Sequence, residues 1–194
     1  MMALLAENGP CHVQSDLSTK TNPYSWNGQA NVIWLDQPTG VGYSYGPTVD
    51  YDSGEHNVAE SIYWFLQKFL KKHPHLADRE FFVTGESYGG HYVPAAACSN
   101  AGVRVLIYAG DADLMCNWVG NQAWVMELDW TGKAKFNNAP NHPFVTAEDT
   151  DAGRVRSFEN LAFIRVFNSG HMVPMDQPAV SYEMINKFFQ NEDF

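Results

Sequence analysis

The run Phe81-Phe82-Val83-Thr84-Gly85-Glu86-Ser87-Tyr88-Gly89-Gly90 sets a serine between two glycines at the end of an apolar stretch. A Gly-x-Ser-x-Gly match alone arises by chance in roughly one chain in fifteen of this length, so its setting carries the weight. Here it follows a strand-like run and precedes an apolar segment suited to a helix. In that setting a sharp turn lifts a serine above a sheet, and small neighbours relieve the crowding. A serine hydroxyl is a poor nucleophile near neutral pH. It needs a base within hydrogen-bond reach and a carboxylate to hold that base in its useful tautomer.

The partners must come later in the chain. Asp111 and Asp113 follow an apolar run in Tyr108-Ala109-Gly110-Asp111-Ala112-Asp113, and His171 follows another in Phe167-Asn168-Ser169-Gly170-His171. If both runs are parallel strands, both loops open at the carboxyl edge where such sheets place their sites. The order Ser, Asp, His is the one expected of an α/β-hydrolase. Of the seven histidines, His12, His56, His73, His75 and His142 fall in loops or on polar helix positions and read as solvated. His91 lies within the segment after the serine and reads as structural, which leaves His171 as the base. Periodicity does not choose between Asp111 and Asp113.

These groups need strands beneath them and helices on either side. Apolar runs at 31–35, 80–84, 103–109 and 162–167 read as strands of a sheet covered on both faces. A helix capped by Asp52 or Ser53 carries Val58, Ile62, Phe65, Leu66 and Phe69 at three- and four-residue spacings and closes at Lys71, Lys72 and His73-Pro74. Further helices are expected at 92–97, with Pro94 imposing a late start or a kink, at 118–128 and at 178–190. Residues 1–29 read as a loop-dominated entry and 132–153 as an irregular or hairpin insertion. Alternating strands and helices give an α/β class with a mostly parallel sheet, in a single domain over residues 1–194.

Composition narrows the partners. A formal charge of -10 over 194 residues argues against a nucleic-acid binder, which would concentrate Lys and Arg against phosphates. No stretch reaches the roughly 18 apolar residues of a membrane span, and Met2 to Leu5 is too short an apolar run for a signal peptide. Cys11, Cys98 and Cys116 show no metal-ligand spacing, so neither a metal nor another cofactor is expected.

Four blocks together resemble the serine carboxypeptidase family: Asn22-Pro23-Tyr24-Ser25-Trp26-Asn27 with the NVIWLDQPTGVGYSY run from Asn31, GESYGGHYVP from Gly85, VLIYAGDADLMCNW from Val105, and FNSGHMVP from Phe167. The resemblance implies an α/β-hydrolase that removes C-terminal residues from peptides through an acyl-serine intermediate. It implies Ser87 as nucleophile, His171 as general base and acid, Asp113 as orienting carboxylate and the Tyr88 peptide N–H as an oxyanion donor. Met115, Cys116 and Met172 match positions that line substrate pockets, with Cys116 a free thiol. Glu86 and Glu7 match two acids that share a proton and bind the substrate's free C-terminal carboxylate. Two close carboxylates do not both ionise cheaply, so an acidic medium is favoured. Taken without the resemblance, Glu86 is an ordinary acid at a helix start.

The family is secretory, vacuolar or lysosomal. Its Trp-Asn-Gly-Gly-Pro-Gly block is absent before Glu7, and only about twenty-five residues separate Ser87 from Asp113, so an internal deletion near 98–102 is expected. Such a chain would have little peptidase activity. Alternatives are a binding or regulatory remnant, or an acyltransferase or esterase on the same scaffold.

Overall fold

The computed structural model describes residues 2–51, 54–90, 93 and 104–194. They form two compact units, Met1–Trp34 with Arg104–Phe194, and Leu35–Val103, and each is described by itself. The turn-rich entry contains more than loops: a π-helical turn at Ala3–Glu7, a hairpin of β1 (Cys11–Val13) with β2 (Thr19–Thr21), and a 3-10 turn at Trp26–Gly28. Strands of three residues carry no periodic signal in sequence. The entry is held by buried contacts. The Asn22 amide donates to the carbonyls of Glu7 and Gly9 at 3.1 and 3.0 Å, and the Trp26 indole donates to Ser181 Oγ at 3.2 Å.

In the unit Leu35–Val103, the helix α1 (Glu55–Lys72) forms where the apolar spacing places it. Val58 is buried, and Ile62, Phe65, Leu66 and Phe69 make its half-buried stripe. Phe65 and Phe69 stack with centroids 5.8 Å apart, four residues being one turn. The helix ends at His73, whose N–H donates to the Phe69 carbonyl at 2.9 Å. Its N-cap is Gly54, which has no side chain to cap with. The expected caps Asp52 and Ser53 lie outside the described residues. The expected strands at 31–35 and 80–84 take no part in a ladder among the described residues. An apolar run becomes a strand only where a neighbour pairs with its backbone, and no described partner does. The expected helix at 92–97 falls, except for Val93, outside the described residues.

The larger unit is built on a four-stranded sheet of order β3-β6-β5-β4, formed by β3 (Val105–Gly110), β4 (His142–Val145), β5 (Asp151–Phe158) and β6 (Leu161–Val166). β3 and β6 are parallel, with Val105 opposite Leu161 and Gly110 opposite Val166. β5 runs antiparallel to both β6 and β4. The sheet is therefore mixed, where the alternation suggested a mostly parallel one. Only Glu159 and Asn160 join β5 to β6, and so short a connection permits antiparallel neighbours alone.

Successive residues of β6 are buried on opposite faces. On one face Ile164 and Val166 pack with Phe144, Val155, Val180 and Met184, under α4 (Val173–Asp176) and α5 (Pro178–Phe189). On the other, Leu161 and Phe163 pack with Val125 and Phe136, under α2 (Trp118–Glu127) and α3 (Lys133–Asn138). A strand buried on both faces reads as a nearly continuous apolar run, broken here only by Arg165. No helix among the described residues is long and apolar enough to cross a membrane.

Candidate active site

The parallel pairing of β3 and β6 opens two loops at one sheet edge. The first, residues 111–117, leads from β3 to α2, and the second, residues 167–172, leads from β6 to α4. They meet closely. A Cβ on Gly110 would lie 2.2 Å from the Gly170 carbonyl oxygen and 2.3 Å from that of Ser169, so only glycine fits there. The Ala112 N–H donates to the Ser169 carbonyl, and the Asp111 N–H to that of Val166, each at 2.9 Å. Asn168 turns the second loop with φ 54°, a left-handed conformation that asparagine tolerates. The Gly170 N–H is held by Asp176 Oδ2 at 2.7 Å.

This stitching sets His171 Nδ1 2.9 Å from Asp113 Oδ2. A carboxylate only accepts, so Nδ1 carries the proton and Nε2 is left with its lone pair. The other carboxylate oxygen, Oδ1, accepts the N–H groups of Met115 and Cys116 at 2.8 and 2.9 Å. Burial alone would push the Asp113 carboxyl up. The Cys116 N–H, the His171 ring and the Met115 N–H outweigh it and hold the group below its ordinary value, so it stays ionised. Asp111 points elsewhere, to Arg165 Nη2 at 3.5 Å. The two aspartates that spacing could not separate thus have different partners.

Cys116 is a free thiol and half-buried, Met172 is half-buried, and Met115 is exposed. Donor atoms of Asp113, Cys116 and His171 lie within 4.8 Å of one another. That set could take a soft cation, although Asp113 and His171 already engage each other. Glu7 closes the Ala3–Glu7 turn, which lies against α4, the helix after His171. Its side chain is 2% exposed, and Oε2 has no partner among the described residues.

Ser87, Tyr88 and Glu86 belong to the other unit. Ser87 is exposed and has φ 57°, a left-handed conformation that costs a non-glycine residue roughly 1–2 kcal/mol. The turn is closed by the Gly89 and Gly90 N–H groups on the carbonyls of Glu86 and Ser87, both at 2.9 Å. A Cβ on Gly85 would come within 2.8 Å of Val93 Cγ2 and 3.0 Å of Gly89 Cα. Tyr88 is exposed and Glu86 half-buried.

Sequence reasoning missed Gly110, Asp176 and Arg165. The first two carry no pattern of their own. Arg165 left one trace, a cation interrupting the otherwise apolar strand β6.

A serine at positive φ in a glycine turn, and an Asp–His pair on the loops of adjacent parallel strands, are the parts of an α/β-hydrolase. The model of the serine carboxypeptidase family matches residues 1–99 and 96–191. The chain belongs to that family, whose members are peptidases of the hydrolase class. "Serine carboxypeptidase-like" of Oryza sativa subsp. japonica is 24% identical, over 96% of this chain and 81% of that protein. "Carboxypeptidase Y homolog A" of Coccidioides posadasii is 24% identical, over 99% and 67%. Among solved structures, Kex1(delta)p, a prohormone-processing carboxypeptidase from Saccharomyces cerevisiae, shares the fold with a TM-score of 0.86. Its identity is 16%, covering 98% of this chain and 80% of that one.

Proposed function

We propose that the chain carries the machinery of a serine carboxypeptidase acting on peptides with a free C-terminal carboxylate. The observation that carries this is the buried Asp113 at 2.9 Å from His171 Nδ1, which leaves Nε2 as the base. Ser87 Oγ attacks the carbonyl carbon of the last peptide bond as its proton passes to His171 Nε2. The resulting oxyanion is met by the Tyr88 N–H. As the C–N bond breaks, His171 returns the proton to the departing amine, leaving an acyl-serine. Water then attacks the ester, His171 takes its proton and gives it to Ser87 Oγ, and the shortened peptide leaves. Asp113 stabilises the imidazolium in both halves.

Glu7 and Glu86 read the substrate carboxylate through a shared proton, which favours an acidic medium. Support comes from the buried Glu7 Oε2, which has no partner among the described residues, since burial of an unpaired oxygen is costly unless a ligand satisfies it. Met115, Cys116 and Met172 line the pocket.

An internal deletion near 98–102 is supported by the two stretches of the family match, which meet at 96–99. It predicts slow peptide turnover alongside a reactive serine. A fluorophosphonate probe separates the two: it labels Ser87 in the native chain and not in Ser87→Ala. A folded native chain that never labels would refute the proposed machinery. Hydrolysis of a blocked dipeptide that survives Ser87→Ala would do the same.

A further inference from the structure

We propose that Arg165 is a positioning residue, clamping both ends of the Asp113 loop from the strand that leads to His171. The inference rests on Asp113 and His171 serving as orienting acid and base. Arg165 lies in β6, six positions before His171, and its guanidinium makes three contacts. Nη2 is 3.5 Å from Asp111 Oδ2, at the start of the loop. The guanidinium carbon is 4.1 Å from the ring centroid of Trp118, where the loop enters α2, and 5.2 Å from that of Phe167, at the start of the histidine loop. One planar group therefore touches the residues on both sides of Asp113 and the chain that delivers its partner.

For stability alone the position would suit an apolar side chain. It continues the face formed by Leu161 and Phe163 in the core under α2. It is also directly opposite Arg154 in the β5–β6 register, and like charges facing across strands are unfavourable. Its Nε is buried with no hydrogen-bond partner among the described residues, a further cost. Its contact with Asp111 is partly exposed, and such pairs add little stability. What the arginine supplies is geometry. A guanidinium stacks on Trp118 and reaches Asp111 at the same time, which the point charge of a lysine does not do.

The test uses the full chain and follows the His171 Nδ1 proton by NMR, a signal that depends on the Asp113 contact and not on turnover. Labelling of Ser87 by a fluorophosphonate is the second readout. Arg165→Met and Arg165→Lys are each expected to speed exchange of that proton with water by about tenfold or more and to slow labelling by a similar factor, the coupling expected of groups in contact. The near-ultraviolet circular dichroism should stay native. Arg154→Met, which removes a guanidinium stacked on the same Phe167 at 5.0 Å without touching the Asp113 loop, should leave both readouts unchanged. The clamp is overturned if a folded Arg165→Met or Arg165→Lys chain matches the native one, or if Arg154→Met disturbs the proton equally. Should Arg165→Met not fold, Arg165→Lys decides on the same criteria. A native chain that holds the proton yet never labels counts against the proposed reaction, while the exchange arm still decides the clamp.

Discussion

Replacing Asp113 by asparagine changes almost no volume and inverts one hydrogen bond. Oδ1 of Asp113 accepts two backbone N–H groups and Oδ2 accepts the His171 Nδ1–H. An asparagine has a single oxygen, and the side with two fixed backbone donors claims it. Its NH2 group then faces His171 Nδ1, which must turn from donor to acceptor. The proton moves to Nε2, where it blocks removal of the serine proton. A base trapped in the wrong tautomer costs about 10,000-fold in rate in a serine protease, equivalent to about 5 kcal/mol of transition-state stabilisation. The assay is the second-order rate of fluorophosphonate labelling at Ser87, native against Asp113→Asn, with the ring tautomer read from imidazole nitrogen shifts. A variant that labels within tenfold of the native chain, or keeps its proton on Nδ1, would refute the reasoning.

Ser87→Gly should abolish labelling yet stabilise the protein by about 1 kcal/mol in urea unfolding, because φ 57° is free of strain for glycine. Gly110→Ala should destabilise by about 3 kcal/mol, at or beyond the upper end for overpacking, since the new methyl meets backbone oxygens at 2.2 and 2.3 Å that cannot swing aside; a loss below about 1 kcal/mol would argue against the close approach. The Asp113 carboxyl is held below its ordinary value in the folded chain by the Cys116 N–H, the His171 ring and the Met115 N–H, which outweigh burial, so on acidification the unfolded chain takes up this proton first. The contribution to stability is fully present above the ordinary carboxylate range and disappears as pH falls through the folded value. Urea midpoints from pH 6 to pH 3 should fall less steeply in Asp113→Asn than in the native chain.

The helix α1 and the strand β6 were legible because each carries its own pattern, a stripe at helical spacing and an apolar run broken only by Arg165. The same logic misled at 31–35 and 80–84, where apolar character was present but no described ladder partner was. The mixed sheet was hidden because strand direction follows from connection length; residues 132–153 read as an irregular or hairpin insertion, and the antiparallel β4–β5 pair is the hairpin form of that reading. Asp111 and Asp113 are alike in sequence and differ in what lies across from them: Arg165 for one, His171 for the other. Long-range partners of that kind have no local signature. Gly110 was visible only as the neighbour of Asp111. Its role as a contact point between two loops depends on the parallel register of β3 with β6.

That register has an evolutionary consequence. Every contact described between Asp113 and His171 is made by chain that follows residue 104, so it does not depend on how much sequence lies between the Ser87 turn and β3. A lineage can lengthen, shorten or exchange the intervening segment and leave Asp113 and His171 in contact. The length of chain before β3 is thereby free to change without rebuilding the Asp113–His171 contact.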